Sequence, residues 1–529
     1  MSPFHLDLPD VFDTTGARRV SRRRFIRVGR DVAVLTAAGL LPGWRHTPRP
    51  KFQDNPFSLG VASGDPNASG AVLWTRLDPS VLASADAADR EVGVRWEVAT
   101  DDGFGRVVKS GEGRALAELG HSVHVEVDGL DPNASYWYRF DVGGIASPVG
   151  RVRTASAPGQ SPDDLRFAFA SCQHYEQGHF TAYRHMVDEQ PDLIVHLGDY
   201  IYETRWGTTV PERLRSDEEP ISLEQYRERY RMYRSDPDLQ AAHAACPWIV
   251  TWDDHEVDNN YADEIPEDDQ ALEAFLARRA AAYQAYYEFM PLRRSSMPSG
   301  PNMQLFRRID YGDLASFHVL DTRQYRSDQA CGDGRSSRCA SSFDPDRTLL
   351  GVEQEHWLGA GLHDSSSRWD VLAQQIRVAQ VAIPEETGED VFSMDMWDGY
   401  PAARQRLFHA LGESANPVVL TGDIHTHWAA DLIRDFSNPD SERVGVELVG
   451  TSITSGGDGE HTVGTPSFVE GNPHLHFFDA ERGYVSVTMN REVCRADFRV
   501  VPYVTSPGAP LLTRASFVTE AGSRRLQRA

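Results

Sequence analysis

The sequence predicts two folded parts: a small all-β sandwich over residues 55–155, then a layered α/β domain over residues 165–505. Three observations carry this. At 529 residues the chain exceeds what one hydrophobic core normally organises. Between 55 and 155, short apolar or alternating runs are separated by Gly, Pro, Asp and Asn, as in a sandwich. Beyond 165, apolar runs alternate with helical stretches, as in a sheet covered by helices. With 40% hydrophobic and 25% charged residues, the composition is that of a soluble globular protein. The formal charge of −25 opposes non-specific binding to nucleic acid or anionic lipid, so no nucleic-acid module is expected. It leaves an anionic substrate open, because cations in a cleft can reverse the local field.

Residues 1–50 read as an address. The stretch "SRRRFIRVG" (21–29) is similar to the twin-arginine export signal, with Ile26 and Arg27 in the places of Leu and Lys. The apolar run behind it is broken by Arg30 and Asp31. It is too short for a membrane span but suits an export signal. A basic lipid- or nucleic-acid-binding tail is the competing reading. The resemblance implies the twin-arginine translocase as export partner and a periplasmic, wall-associated or extracellular destination. That route carries folded proteins, which suits a chain that takes up metal before export.

The sandwich strands are "AVLWTRL" (71–77), "EVGVRWEVAT" (91–100), "HSVHVEVDGL" (121–130) and "ASYWYRFDVGG" (134–144). "VDGLDPNASYWYRF" is similar to a fibronectin type III corner, and packing accounts for its residues. "TASAPGQSPDD" (154–164) reads as a linker. Next come the strands "LRFAFAS", "DLIVHLG", "WIVTW", "ASFHVLD", "WDVLAQQ" and "PVVLTGD". Helices fall on "SLEQYRERYRMYR", "DDQALEAFLARRAAAYQAYYEFM" and "AARQRLFHALG". "RGYVSVTMN" and "CRADFRVVPYV" add two strands, and residues 506–529 read as a tail. Of the five cysteines, Cys331 and Cys339 bracket a short loop and could form a disulfide. Cys246 and Cys494 read as core residues.

Chemistry gathers where strands stop. The first ends at Cys172, the second at Asp199 and Tyr202, and the third at Asp253, Asp254 and His255. Two more end at Asp321 with Arg323, and at Asp423 with His425 and His427. A lone Asp after a strand is ordinarily a helix cap. Five such ends in one α/β domain can converge, because ligand sites form at the carboxyl ends of the strands.

In order, "SCQ", "GDYIYE", "WDDHEVDNN", "LDTRQYR" and "GDIHTHW" resemble the motifs of the PhoD-like alkaline phosphatases, within the calcineurin-like metallophosphoesterases. The resemblance covers most of the chain beyond the leader, sandwich included. It implies a four-layer α-β-β-α catalytic domain. It also implies an exported, metal-dependent, monomeric phosphoesterase that cleaves phosphate monoesters or diesters by metal-activated hydroxide attack at phosphorus. A phospholipase D-type phosphodiesterase acting on a phospholipid headgroup is the alternative on the same scaffold. A catalytically dead cell-surface binding protein is the alternative of another class.

Thiolate and phenolate favour a strongly polarising transition ion, whereas carboxylates favour Ca²⁺ or Mg²⁺. With the division seen in purple acid phosphatases, this gives Fe³⁺ on Cys172, Asp199, Tyr202 and His425. Ca²⁺ falls on Asp199 as bridge, Asp254 and Asp423. One or two calcium ions are expected, with Asn259 or Asn260 as a contributor to a second; Zn or Mn is the alternative pair. His255 is expected to protonate the leaving group or to stabilise the developing charge, with Glu256 orienting it. Arg323 is expected either to clamp phosphate or to pair with Glu203 or Asp321. Asp253 and His427 are expected to be structural.

Overall fold

The computed structural model describes residues 52–529 apart from 208–209, 215–217 and 386–387. The twin-arginine-like stretch lies outside the described residues. Two large sheets face each other. The first has ten strands, in the order Gln527–Arg528, Leu512–Glu520, Val493–Val501, Arg482–Met489, Leu165–Ala170, Leu193–His196, Pro247–Val250, Val61–Asn67, Gly70–Arg76 and Ser122–Val127. The second has seven: Arg307–Tyr311, Ala315–Val319, Trp369–Ala373, Pro417–Thr421, Arg443–Val449, His427–Ile433 and Leu475–Asp479. Within each sheet, the strands that carry the expected site run parallel to one another.

Alternation explains the layering. Phe167, Phe169, Leu193 and Val195 point between the sheets, where they meet Phe317, Val371, Val418 and Leu420. The intervening Ala168, Ala170 and Ile194 point outward, under helices Thr181–Asp188, Leu223–Arg234, Pro237–Ala245 and Leu272–Phe289. On the far side, Leu372 and Val419 lie beneath helices Gly351–His363 and Pro401–Glu413. Both faces of each central strand are therefore apolar, and the order helix, sheet, sheet, helix is the expected four-layer arrangement. No described helix is long and apolar enough to cross a membrane.

Three expectations change. The sandwich does not stand apart, because Val61–Asn67 pairs in parallel with Pro247–Val250 and makes one sandwich sheet a continuation of the catalytic sheet. Its partner sheet is Val107–Ala115, Val92–Ala99, Ser135–Val142 and Ile145–Ala146, with Gly150–Arg153 paired to Ser135–Val142. The two close over a core that includes Val61, Leu73, Val125, Val94, Tyr138 and Phe140.

The expected linker is pinned. Ala155 is buried between the large sheets, and the Gly159 N–H donates to the Asp313 carboxylate at 2.9 Å. The expected tail contributes the strands Leu512–Glu520 and Gln527–Arg528. Its alternation in "LTRASFVTE" buries Ala515, Phe517 and Thr519, while Arg514 and Glu520 face outward. Interleaved polar residues hid this strand.

Cys331 and Cys339 form a disulfide, and Cys172, Cys246 and Cys494 are free and buried.

Phe517 packs its ring against Phe477 and Phe498. Phe517→Ala should destabilise the protein by about 3–5 kcal/mol, read as a lowered denaturant midpoint. A change within error would mean that the C-terminal strands do not belong to the core.

Candidate metal centre

All five chemistry-bearing strand ends lie on one side of the facing sheets, beyond Ala170, His196, Val250, Val319 and Thr421. The backbone there is strained: Cys172, Asp199, Asp423 and His425 have φ of 59°, 55°, 62° and 55°. This left-handed region is unfavourable for residues with a Cβ, and its use clusters at functional sites. The glycines before the two aspartates are dictated by close approach. A Cβ on Gly198 would lie 2.5 Å from the Asp253 Cβ, and one on Gly422 would lie 2.5 Å from the Ser171 Oγ. The sheets therefore hold the loops against one another, and the loops turn their side chains inward.

Three donor sets share members, and within each set the ligand atoms lie within 4.8 Å of one another. They are Cys172–Asp199–His425, Asp199–Asp254–His255 and Asp253–Asp254–Asp423. The Tyr202 hydroxyl joins the first, donating to Asp199 Oδ2 at 2.9 Å and lying 3.0 Å from His425 Nε2. Its ring is flanked by His174 and His255, with centroids at 4.7 and 4.2 Å. The six residues expected to hold metal, Cys172, Asp199, Tyr202, Asp254, Asp423 and His425, thus converge. A separate set, His461–Asp479–Glu481, is occupied by its own ion pairs and by Arg514.

The electrostatics call for cations. Burial pushes the Cys172 thiol well up, and the Asp199 carboxylate adds to it. Burial, joined by repulsion from neighbouring carboxylates, likewise pushes Asp199 and Asp423 well above the usual range. Burial lowers His425 to about 3, which keeps its imidazole neutral and able to ligate. Asp199 Oδ1 is buried with no hydrogen-bond partner among the described residues. An ion among these groups would reverse the preference for their neutral forms and use the orphaned oxygen.

Arg323 is largely tied to neighbouring carboxylates. It is fully buried, and its Nε donates to Asp253 Oδ1 at 2.5 Å and its Nη1 to Asp395 Oδ1 at 2.9 Å. Nη2 lies 3.5 Å from Asp254 and 3.7 Å from Asp423. Nε and Nη1 are thus committed to the protein's own carboxylates, though not to Glu203 or Asp321, while Nη2 is buried without a hydrogen-bond partner among the described residues. Asp395, absent from the sequence reading, also pairs with Arg326 at 3.0 Å.

Glu256 does not orient His255. Its carboxylate accepts the backbone N–H groups of Asp199, Tyr200 and Asp253 at 3.1, 2.5 and 2.9 Å, tying two ligand loops together. Glu203 holds the imidazole instead, with Oε2 2.7 Å from His255 Nδ1 and Oε1 accepting the Asn259 N–H at 3.1 Å. Burial alone would lower the His255 pKa, but Glu203, Asp254 and Asp199 outweigh it and raise it well above the usual histidine value.

The side-chain NH2 groups of Asn259 and Asn260 donate to Glu267 and Asp333, and the Asn260 backbone N–H donates to Asp254 Oδ2 at 2.8 Å. Asp321 accepts the N–H groups of Arg323 and Gln324, both at 3.0 Å, and shapes its loop. His427 accepts the Thr451 N–H at 3.2 Å and packs edge-on against Phe498, in keeping with a structural role.

The family model for PhoD-like phosphatases matches residues 167–498, and the model for the N-terminal domain of the same family matches residues 43–156. The chain belongs to the PhoD-like phosphatase family. It is 50% identical over 518 residues to alkaline phosphatase D of Bacillus subtilis (strain 168), covering 96% of this chain and 89% of that one. A solved structure of PhoD superposes with a TM-score of 0.87 at 51% identity, covering 91% of this chain and 93% of the other. A purple acid phosphatase from yellow lupin seeds shares the fold, with a TM-score of 0.54 at 13% identity over 87% of this chain and 73% of that one.

Glu256 supplies an internal check on this PhoD-like site. Glu256→Ala leaves three buried N–H groups without their acceptor, at about 1–3 kcal/mol each. A loss of at least about 3 kcal/mol in unfolding free energy is expected, partly recovered by Glu256→Gln. An unchanged denaturation midpoint in Glu256→Ala would contradict the tie between the loops.

Proposed function

We propose that this chain is an exported metallophosphoesterase that hydrolyses phosphate monoesters, diesters or both; the name of its Bacillus subtilis relative, alkaline phosphatase D, supports the phosphatase part of that reading. The observation that carries the reading is the donor set itself: thiol, phenol, imidazole and a shared carboxylate on one side, further carboxylates on the other. Cys172, Asp199, Tyr202 and His425 would hold Fe³⁺; Asp199, Asp254 and Asp423 would hold Ca²⁺, with Zn or Mn as the alternative metals. Bound there, the two ions would neutralise the phosphoryl group and activate water for attack at phosphorus.

The remaining steps belong to the chain. His255 is aimed by Glu203, whose carboxylate lies 2.7 Å from its Nδ1 and favours the imidazolium, so it can give a proton to the departing alkoxide. Arg323 acts as a positioning residue: it balances Asp253 and Asp395 and keeps Asp254 and Asp423 turned toward the centre. Export rests on "SRRRFIRVG".

Two experiments test this on protein recovered from the exported fraction. Chelation should abolish turnover of p-nitrophenyl phosphate and bis-p-nitrophenyl phosphate. Cys172→Ala should lose iron by elemental analysis and slow turnover by more than about a hundredfold, beyond the usual cost of losing an outer partner. An iron-free parent enzyme containing zinc or manganese would favour the alternative metals. Full rate and full metal in Cys172→Ala would reject the site.

For His255→Ala and Glu203→Gln, metal content should hold while kcat falls by about 10²–10⁴ and by a smaller factor, respectively. The loss should be larger for alkyl esters than for p-nitrophenyl esters, whose leaving group needs little protonation. Equal losses on both ester types would reject the proton-donor role.

A further inference from the structure

The geometry points to Trp206 as a platform for the leaving group, selecting phosphate esters whose alcohol portion is planar or apolar; this rests on the phosphoesterase reading above. The donor side of the centre is lined by an aromatic wall. Tyr202 and His174 are wholly buried within it. Trp206 is its open end. Its indole lies parallel to the His425 imidazole, at 5.9 Å between centroids and 7° between planes. It meets His174 edge-on at 5.9 Å and leans on Tyr202 at 6.3 Å. Yet the residue is 37% exposed, so part of a large apolar surface opens to solvent beside His425.

Trp206 is also held in place. Its carbonyl accepts a hydrogen bond from Gln177 Nε2, and Gln177 Oε1 accepts the Gly456 N–H at 2.6 Å. Arg482 fastens the same segment to the site, donating to the Gly457 carbonyl at 2.8 Å and to the His425 carbonyl at 2.7 Å. An indole anchored in this way presents a fixed face at little entropic cost, which is what an aromatic binding surface requires. Packing alone would be served by a smaller side chain, because the exposed part of the ring contributes nothing to the core. A phosphoryl group seated among the donor sets would place its alcohol substituent within reach of this rim. A flat or apolar substituent would cover the indole, whereas a short alkyl group would leave it wet.

The test uses the metal-loaded enzyme with Trp206→Ala and Trp206→Phe. Benzyl phosphate is compared with ethyl phosphate, two alkoxide leaving groups that differ in apolar bulk. Inhibition by benzylphosphonate and ethylphosphonate is measured alongside, together with metal content. The preference for benzyl over ethyl should fall about tenfold in Trp206→Ala, in kcat/KM and inhibition constants alike, and largely return in Trp206→Phe. Metal content should stay constant. Equal losses for both esters, or an unchanged preference, would overturn the platform and leave Trp206 as a prop for His425. A parent enzyme that hydrolyses neither these esters nor p-nitrophenyl phosphate but binds benzylphosphonate more tightly, in a Trp206-dependent way, would sink the phosphoesterase reading and the leaving-group role with it, and leave Trp206 as a bare aromatic binding surface. One that shows neither turnover nor discrimination would sink both.

Discussion

Buried negative charge is the constraint on which this molecule turns. Asp199, Asp253, Asp254 and Asp423 crowd one cleft, faced directly by the guanidinium of Arg323. Two like charges 4 Å apart repel by about 4 kcal/mol at an effective dielectric of about 20. Several such pairs would rival the whole stability of a typical domain. Burial disfavours charge on all of them; Arg323 and His255 nevertheless hold Asp254 below the usual carboxylate range, while the Cys172 thiol and the Asp199 and Asp423 carboxyls are pushed well up toward their neutral forms. Cations among these groups would favour their ionised forms, which would tie metal binding to the stability of the centre itself.

The architecture explains how strained, mutually repelling side chains stay in place. Each ligand loop leaves a parallel strand buried on both faces, so its origin cannot shift without disturbing the core between the sheets. Left-handed residues at Cys172, Asp199, Asp423 and His425 then turn the donors inward. A ring of partners fixes them further: Glu256 joins two loops, Glu203 sets the His255 ring, and Asp395 with Arg326 anchors Arg323. The sandwich adds to this scaffold by extending the catalytic sheet through Val61–Asn67.

Much of this was legible in the sequence, for a physical reason. A run such as "DLIVHLG" announces a buried strand, and a carboxylate at its end has few purposes once several strands end the same way. The convergence of those strand ends could therefore be read without coordinates, and the resemblance to the PhoD-like motifs picked out Cys172, Asp199, Tyr202, Asp254, Asp423 and His425 among them. Second partners could not. Glu203 and Glu256 were both visible in motifs, but which one faces His255 depends on loop geometry rather than spacing. Asp395 follows a short peripheral strand, so no strand-end signal marked it as the partner of Arg323. The join between sandwich and catalytic sheet pairs Ser63 with Pro247, too far apart in sequence for local patterning to reveal. The strand Leu512–Glu520 was hidden by Arg514, Ser516 and Glu520 on its outer face.

The central claim is that one ion binds both the Cys172 sulfur and the Tyr202 oxygen, whose hydroxyl already sits between Asp199 and His425. Resonance Raman spectroscopy of the metal-loaded enzyme, excited in its visible absorption band, addresses that directly. The account predicts metal–sulfur stretching and metal-bound tyrosinate ring modes enhanced under the same band. A colourless enzyme, or a band that enhances neither the sulfur nor the tyrosinate modes, would contradict it.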